Sequence, residues 1–309
     1  MTRFPNGKRF AFSVFDDTDG STVENVLSVY RLLSDLAIKT TKSVWPLPNV
    51  TGAKTGGATL AEPKYLDFVL WLQSEGFEIG LHNVRNHDAL RQIVQLGLDR
   101  FFDRIGMHPT THCNHDSNRE NLYWGSSRFR TPFIRLGYNL TAQMNHNHSF
   151  EGDIEQSPYF WGDLCRERIQ YVRNFVFDEI NLDRINATLP YHDCRTPFVN
   201  YWFSSTDGAT VKSFCRMLSE ANQDRLEAEG GVCIMYTHFS AGFGNCGELH
   251  PEFERLMRRL AKKTTGWFVP VATLLDHLRA NQKTSVIANA ELARMERRWF
   301  VSKLCKGTT

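Results

Sequence analysis

Three acidic residues close one apolar segment: Phe10-Ala11-Phe12-Ser13-Val14-Phe15 runs into Asp16-Asp17-Thr18-Asp19-Gly20. Carboxylates this close raise one another's pKa and oppose folding unless a metal ion, a basic side chain or water offsets them. A metal would turn this segment end into an active site. Histidines to share it follow at Gly80-Leu81-His82-Asn83-Val84-Arg85-Asn86-His87-Asp88. Neutral imidazoles with a carboxylate suit a catalytic zinc or similar divalent ion, with three protein ligands and one position left for water. Such an ion makes the water acidic enough to ionise near neutral pH. Asp17, His82 and His87 are the expected ligands. Taken alone, two histidines five apart are ordinary loop residues; beside an acidic strand tip they become candidate ligands.

Other constellations could complete the chemistry. Met107-His108-Pro109-Thr110-Thr111-His112-Cys113-Asn114-His115-Asp116 holds three histidines, either a second metal cluster or a substrate loop. Asn118-Arg119-Glu120-Asn121-Leu122-Tyr123-Trp124-Gly125 adds aromatic faces and hydrogen-bonding groups, which suit a sugar. Asn114, His115, Arg119, Tyr123 and Trp124 are therefore candidate substrate contacts, joined by Trp202 and Asp207 from a later segment end. Asp207 either orients a histidine or caps the next helix, with the cap favoured. Cys233-Ile234-Met235-Tyr236-Thr237-His238 ends another apolar run in a histidine, a candidate general acid for a leaving amine. His146 and His148 read as loop residues.

These residues need a frame that brings them together. Apolar strand-like segments alternate with amphipathic helical ones. Strands are expected at 10–15, 41–47, 77–82, 200–204, 231–237 and 267–269. Helices are expected at 23–38, 63–75, 88–104, 166–185, 209–229, 251–263 and 271–280, with a charged helical tail over 285–309. Residues 106–165 are the least regular. Repeated β-then-α units predict an α/β protein, a distorted (β/α) barrel of about seven parallel strands, with residues 1–284 as one catalytic domain. In that architecture the active site lies at the strand C-terminal ends, where the acidic cluster falls.

The bulk properties are those of an ordinary globular protein: 309 residues, 41% hydrophobic, 23% charged and net charge +2. Nothing pulls it toward nucleic acid or an anionic membrane, and no apolar stretch is long enough for membrane insertion. Seven cysteines without a C-x-x-C pattern argue against a disulfide framework or a zinc ribbon. The polar start lacks a secretory core, so a cytoplasmic location is expected.

The order of these pieces resembles the polysaccharide deacetylase family, the NodB-like carbohydrate esterases. The family's first motif, an apolar strand ending in Phe-Asp-Asp, is similar to Val14-Phe15-Asp16-Asp17. The resemblance implies Asp16 as general base and Asp17 as metal ligand. Gly76-Phe77-Glu78-Ile79-Gly80-Leu81-His82 is similar to the second motif, with His87 as the second ligand at a spacing of five instead of the usual four. The Arg-x-Pro-Tyr-Gly third motif is not recognisable, and residues 112–125 occupy its place. His238 matches the catalytic-acid histidine, and residues 267–275 resemble the closing strand and helix. The resemblance implies metal-assisted removal of an N-acetyl group from an amino sugar or glycan, with zinc the first choice and cobalt, nickel or manganese the alternatives. It leaves the oligomeric state open.

Two other classes fit parts of the pattern. Asp17-Thr18-Asp19-Gly20-Ser21-Thr22 matches the start of haloacid-dehalogenase-like phosphatases, with Asp17 as nucleophile and Asp19 as acid/base. That reading leaves the histidines idle. The other is a sugar-binding barrel that has lost turnover.

Overall fold

The computed structural model describes residues 3–142, 149–245 and 247–306. His146, His148 and Cys246 lie outside them. Seven parallel strands close on themselves: β1 (Phe10–Asp16), β2 (Thr41–Val44), β3 (Glu78–His82), β4 (Thr111–Cys113), β5 (Tyr171–Phe177), β6 (Tyr201–Asp207) and β7 (Val232–Thr237). Closure runs from Ala11 opposite Val232 to Asp16 opposite Thr237. Every residue of β1 and β7 is buried, as strands covered on both faces must be. The barrel expected from the sequence is the architecture found.

Five of the six crossovers between these strands are α-helical, the usual connection between parallel strands. They are α1 (Val23–Asp35), α2 (Pro63–Ser74), α3 (Arg91–Ile105), α4 (Pro132–Ala142) with α5 (Gly162–Arg168), and α6 (Val211–Met217) with α7 (Glu220–Glu229). The β5–β6 connection carries only a short turn of 3-10 helix. After β7 come a small hairpin of β8 (Gly244–Asn245) and β9 (Glu248–Leu249), then α8 (Pro251–Ala261), β10 (Gly266–Phe268), α9 (Val271–Asn281) and α10 (Asn289–Lys306). β10 lies beside the first half of β1, with Phe10 opposite Gly266.

Period-two alternation along β1 divides its side chains between two layers. Phe15 points into the barrel and meets Phe203 of β6. Asp16 points outward, toward the layer where Tyr30 of α1 packs edge-on against Phe68, Phe77 and Phe239. This parity decides which acid faces the barrel mouth.

Three expectations differ from what is observed. Residues 166–185 were expected to be helical, but the helix ends at Arg168 and β5 follows. Tyr171-Val172-Arg173-Asn174-Phe175-Val176-Phe177 is aromatic and β-branched, and burial on both faces selects the strand. The helix expected over 209–229 is two, because Ser219 is extended at φ −51°, ψ 155° and starts α7 anew. β4 was not foreseen; its three residues are too few for a periodic signal.

Residues near the C-terminus pack on the barrel. Leu292, Met295 and Trp299 of α10 are buried. Trp299 lies against Phe129, Tyr138 and Phe175. Buried Glu296 accepts the backbone N–H groups of Arg130 and Thr131 just before α4, at 2.6 and 2.8 Å. No described helix is long and apolar enough to cross a membrane.

Candidate active site

The acidic turn after β1 is held from two sides. Gly20 donates to Gly56 O and Ala58 donates to Ser21 O. Between them Gly57 sits at φ +141°, where an added Cβ would meet Thr18 O at 3.1 Å. Only glycine lets these backbones approach so closely. The turn therefore presents Asp17 and Asp19 to a cleft of about 360 Å³ at the C-terminal rim of the barrel, lined also by His82, His115, Arg173 and His238.

Asp19 is the centre of the cluster. Its Oδ2 lies 2.9 Å from His82 Nε2 and 3.3 Å from His238 Nε2, and its Oδ1 lies 2.9 Å from His115 Nε2. Burial opposes its ionisation, but His82 and the hydrogen-bonding histidines outweigh burial and hold its pKa well below the usual carboxylate range. The ligand atoms of Asp19, His82 and His115 all lie within 4.8 Å of one another.

The far nitrogen of each histidine is occupied. His115 Nδ1 is 2.9 Å from Asn118 Oδ1, an acceptor, so it carries the proton. His82 Nδ1 is 2.7 Å from Cys113 Sγ, and that thiol can donate to Asp17 Oδ1 at 3.4 Å. Both rings thus turn Nε2 toward the Asp19 carboxylate. Buried Asp19 Oδ1 has no well-aligned hydrogen-bond partner among the described residues. This donor set, two imidazoles and a carboxylate with occupied outer nitrogens, fits a divalent ion such as zinc.

Supporting groups fix the histidines. Trp45 is stacked on His82 and lies edge-on to His115. Asn83, at φ 48°, accepts the His115 backbone N–H at 2.9 Å. Its amide donates to buried Glu120, which also accepts from Asn118, the residue holding His115 Nδ1.

Asp17 is paired with Arg173 of β5, at 2.7 and 2.6 Å through both oxygens. Burial raises its pKa, but Arg173 and His82 more than offset this, so the carboxyl is held ionised below its ordinary range. The phosphatase reading gives no role to the three histidines gathered at Asp19. Asp17, Asp19 and His238 also offer atoms within 4.8 Å of one another. His238 Nδ1 faces Ala209 O at 3.1 Å, which fixes the proton there and turns Nε2 to the cleft.

The remaining candidates distribute unevenly. Asp16 lies outside the cleft. Its carboxylate is wholly buried and accepts from Lys42 Nζ, Tyr30 Oη and Phe239 N, each at 2.8 Å, on the side of the helical layer. The expectation of Asp16 as base is corrected accordingly. His87 is exposed and contributes only its backbone carbonyl, to Asn118 and Arg85; the second clustered histidine is His115. Asn114 lines the cleft but spends its amide on the backbone of Leu122. Trp124 faces the cleft. Arg119 pairs with Glu151 outside it, and Tyr123 and Trp202 pack together behind it. Asp207 accepts Ala209 N at 3.3 Å, so it acts on the turn that holds His238 and not on the histidine itself. Of the other histidines, His112 is buried behind the site and pushed down to about 3 by burial, and His108 is exposed against Phe102. Arg173 was missed because its segment read as helix; a lone arginine amid β-type residues was the available signal.

No family model matches the chain, and no curated protein matches it. Solved structures do. A Mycobacterium smegmatis protein provisionally assigned as a polysaccharide deacetylase aligns at TM-score 0.54 and 12% identity, covering 93% of this chain and 96% of its own. The allantoinase Puue aligns at 0.53 and 13%, covering 91% and 93%. A Pseudomonas aeruginosa PAO1 protein, also provisionally assigned as a polysaccharide deacetylase, aligns at 0.51 and 12%, covering 91% and 94%. At these identities the likeness establishes the fold: the closed seven-stranded barrel is the NodB-like barrel, reached by a divergent sequence.

Proposed function

We propose that this protein is a metal-dependent hydrolase that removes an N-acetyl or related acyl group from an amino sugar or glycan precursor. The observation that carries the reading is the convergence of His82, His115 and His238 on Asp19 at the barrel rim, beside the Asp17–Arg173 pair. The names of the fold neighbours from M. smegmatis and P. aeruginosa support it by analogy.

Asp19, His82 and His115 would hold the ion. When bound, it would polarise the acyl carbonyl and acidify water in the cleft. Asp17 is the base: Arg173 keeps it ionised and aimed. His238, with Nδ1 fixed on Ala209 O, gives its Nε2 proton to the departing amine. Trp124 offers a face for the sugar ring.

Elemental analysis of the purified protein, with acetate release from acetylated amino sugars before and after chelation, tests the reading. About one divalent ion per chain and activity lost on chelation are expected. Full activity without metal overturns it. Sugar binding without turnover in the metal-loaded protein favours the binding-only barrel.

A further inference from the structure

The same cleft carries a cation that the proposed hydrolysis does not use. Arg128 ends a 3-10 turn (Gly125–Arg128) and lines the cleft. Its guanidinium lies 3.9 Å over the ring of Trp124, 5.2 Å from the Phe175 centroid and 5.3 Å from that of Trp299. These rings stabilise a cation and strip water from it. Among the described residues, the polar protein atoms it contacts belong to Asn174: Nε reaches Oδ1 at 3.4 Å, and Nη2 donates to the backbone oxygen. A guanidinium has five N–H donors; two go to Asn174, and the described residues take none of the other three.

None of the described carboxylates forms an ion pair with Arg128, whereas Arg173, the other arginine of the cleft, is filled by Asp17. Burial lowers the Arg128 pKa to about 10, which still leaves a full charge at neutral pH. Lys303 places a second amine 5.0 Å from the Trp299 ring, and Arg128 helps burial push that amine down to about 8. A register shift between Arg173 and Val176 in β5 explains the geometry. It lets Arg173, Asn174 and Val176 all border the cleft, which strict alternation would forbid. One bulge thus serves both groups: Arg173 holds Asp17, and Asn174 holds Arg128.

The cleft therefore holds, besides the carboxylate–histidine cluster, a desolvated, planar, donor-rich cation between aromatic faces. Such a guanidinium matches a carboxylate or phosphate through paired N–H donors. We propose that Arg128 anchors an anionic substituent carried on the amino sugar, a carboxylate or a phosphate, so that the protein selects acidic acylated sugars over neutral ones. The proposal rests on the deacylase reading for the sugar, and on Arg128 and its surroundings for the anion.

Calorimetric titration of the whole protein, as purified and after chelation, tests it with four probes: N-acetylglucosamine, its 6-carboxylate, its 6-phosphate and its 1-phosphate. At least one anion is expected to bind about tenfold tighter than the neutral sugar, the scale of one charge-assisted contact. The advantage should survive chelation, shrink at 0.5 M salt and vanish in Arg128→Gln. The carboxylate and phosphate arms identify the group. Equal binding of all four probes overturns the proposal, as does a preference unchanged in folded Arg128→Gln. Should Arg128→Gln not fold, Arg128→Lys decides: it keeps the charge, loses the fork, and must cut the preference several-fold. Acetate release separates the two readings. Anion preference without acetate from any probe sinks the deacylase reading and keeps the anchor. Equal rates on neutral and acidic sugars with no binding preference sink the anchor alone.

Discussion

Adjacent acids have opposite fates here because one residue along a strand reverses the side chain's direction. Asp16 faces the helical layer and Asp17 the barrel mouth, while Asp19 reaches the histidines from the turn. Asp19→Asn and His115→Ala should each lose bound metal and at least about 100-fold in activity, while His87→Ala should keep both. Elemental analysis beside acetate release reads this directly, and metal loss in His87→Ala would contradict the assignment. Asp16 and Lys42 form a wholly buried pair, so Lys42→Met leaves a buried carboxylate uncompensated and should cost about 3–5 kcal/mol in denaturant unfolding. Burial alone would lower the Lys42 pKa, but the Asp16 charge more than offsets it and the pKa is raised above 10.5. The pair's stabilisation is thus intact below 10.5 and lost as pH climbs through the raised folded value. Unfolding free energies measured above pH 10 should fall steeply in the wild type and less so in Lys42→Met.

At the scale of elements, the site depends on segments that carry none of its chemistry. The 56–58 strap clamps the acidic turn, and Gly57→Ala would drive a methyl against Thr18 O in a strained conformation. A loss of about 1–3 kcal/mol is expected, with reduced metal affinity as Asp19 shifts; an unchanged melting temperature and metal content would refute the clamp. Glu120 has the same standing for the β4 loop. It ties Asn83, Asn118 and Ala89 together beneath His115. Glu120→Ala should weaken metal binding by about 10–100-fold although Glu120 touches no candidate ligand position, a range typical of groups behind the ligands. Metal titration of the folded variant measures it.

Across the whole molecule, α10 connects the outer surface of the barrel to the cleft. Trp299 packs on Phe129 and Phe175 and also borders the cleft beside Arg128. Trp299→Ala should destabilise by about 3–5 kcal/mol. It should also raise KM far more than it lowers kcat, because the ring supports binding and not proton transfer. An unchanged KM in the folded variant would remove α10 from the site.

Much of this was legible in the residues. Alternating apolar segments sufficed for a closed β/α barrel, and the acidic tip, His82 and His238 do line one cleft at its C-terminal rim. The barrel forces these strand ends to one side whatever their order in the chain. Composition and periodicity could not reveal which carboxylates face the cleft, since that depends on strand parity. Nor could they choose His115 over His87: His87 lies closer in sequence, but the parallel pairing of β3 with β4 sets His115 beside His82. Arg173 and Arg128 meet the site from positions 156 and 109 residues beyond Asp17 and Asp19, through pairings that no local pattern encodes. Residue types and local order thus determined the fold class and which residues could do chemistry. Only tertiary structure decided which acid is buried as a strut, which faces the histidines, and which arginine of the cleft has no carboxylate among the described residues.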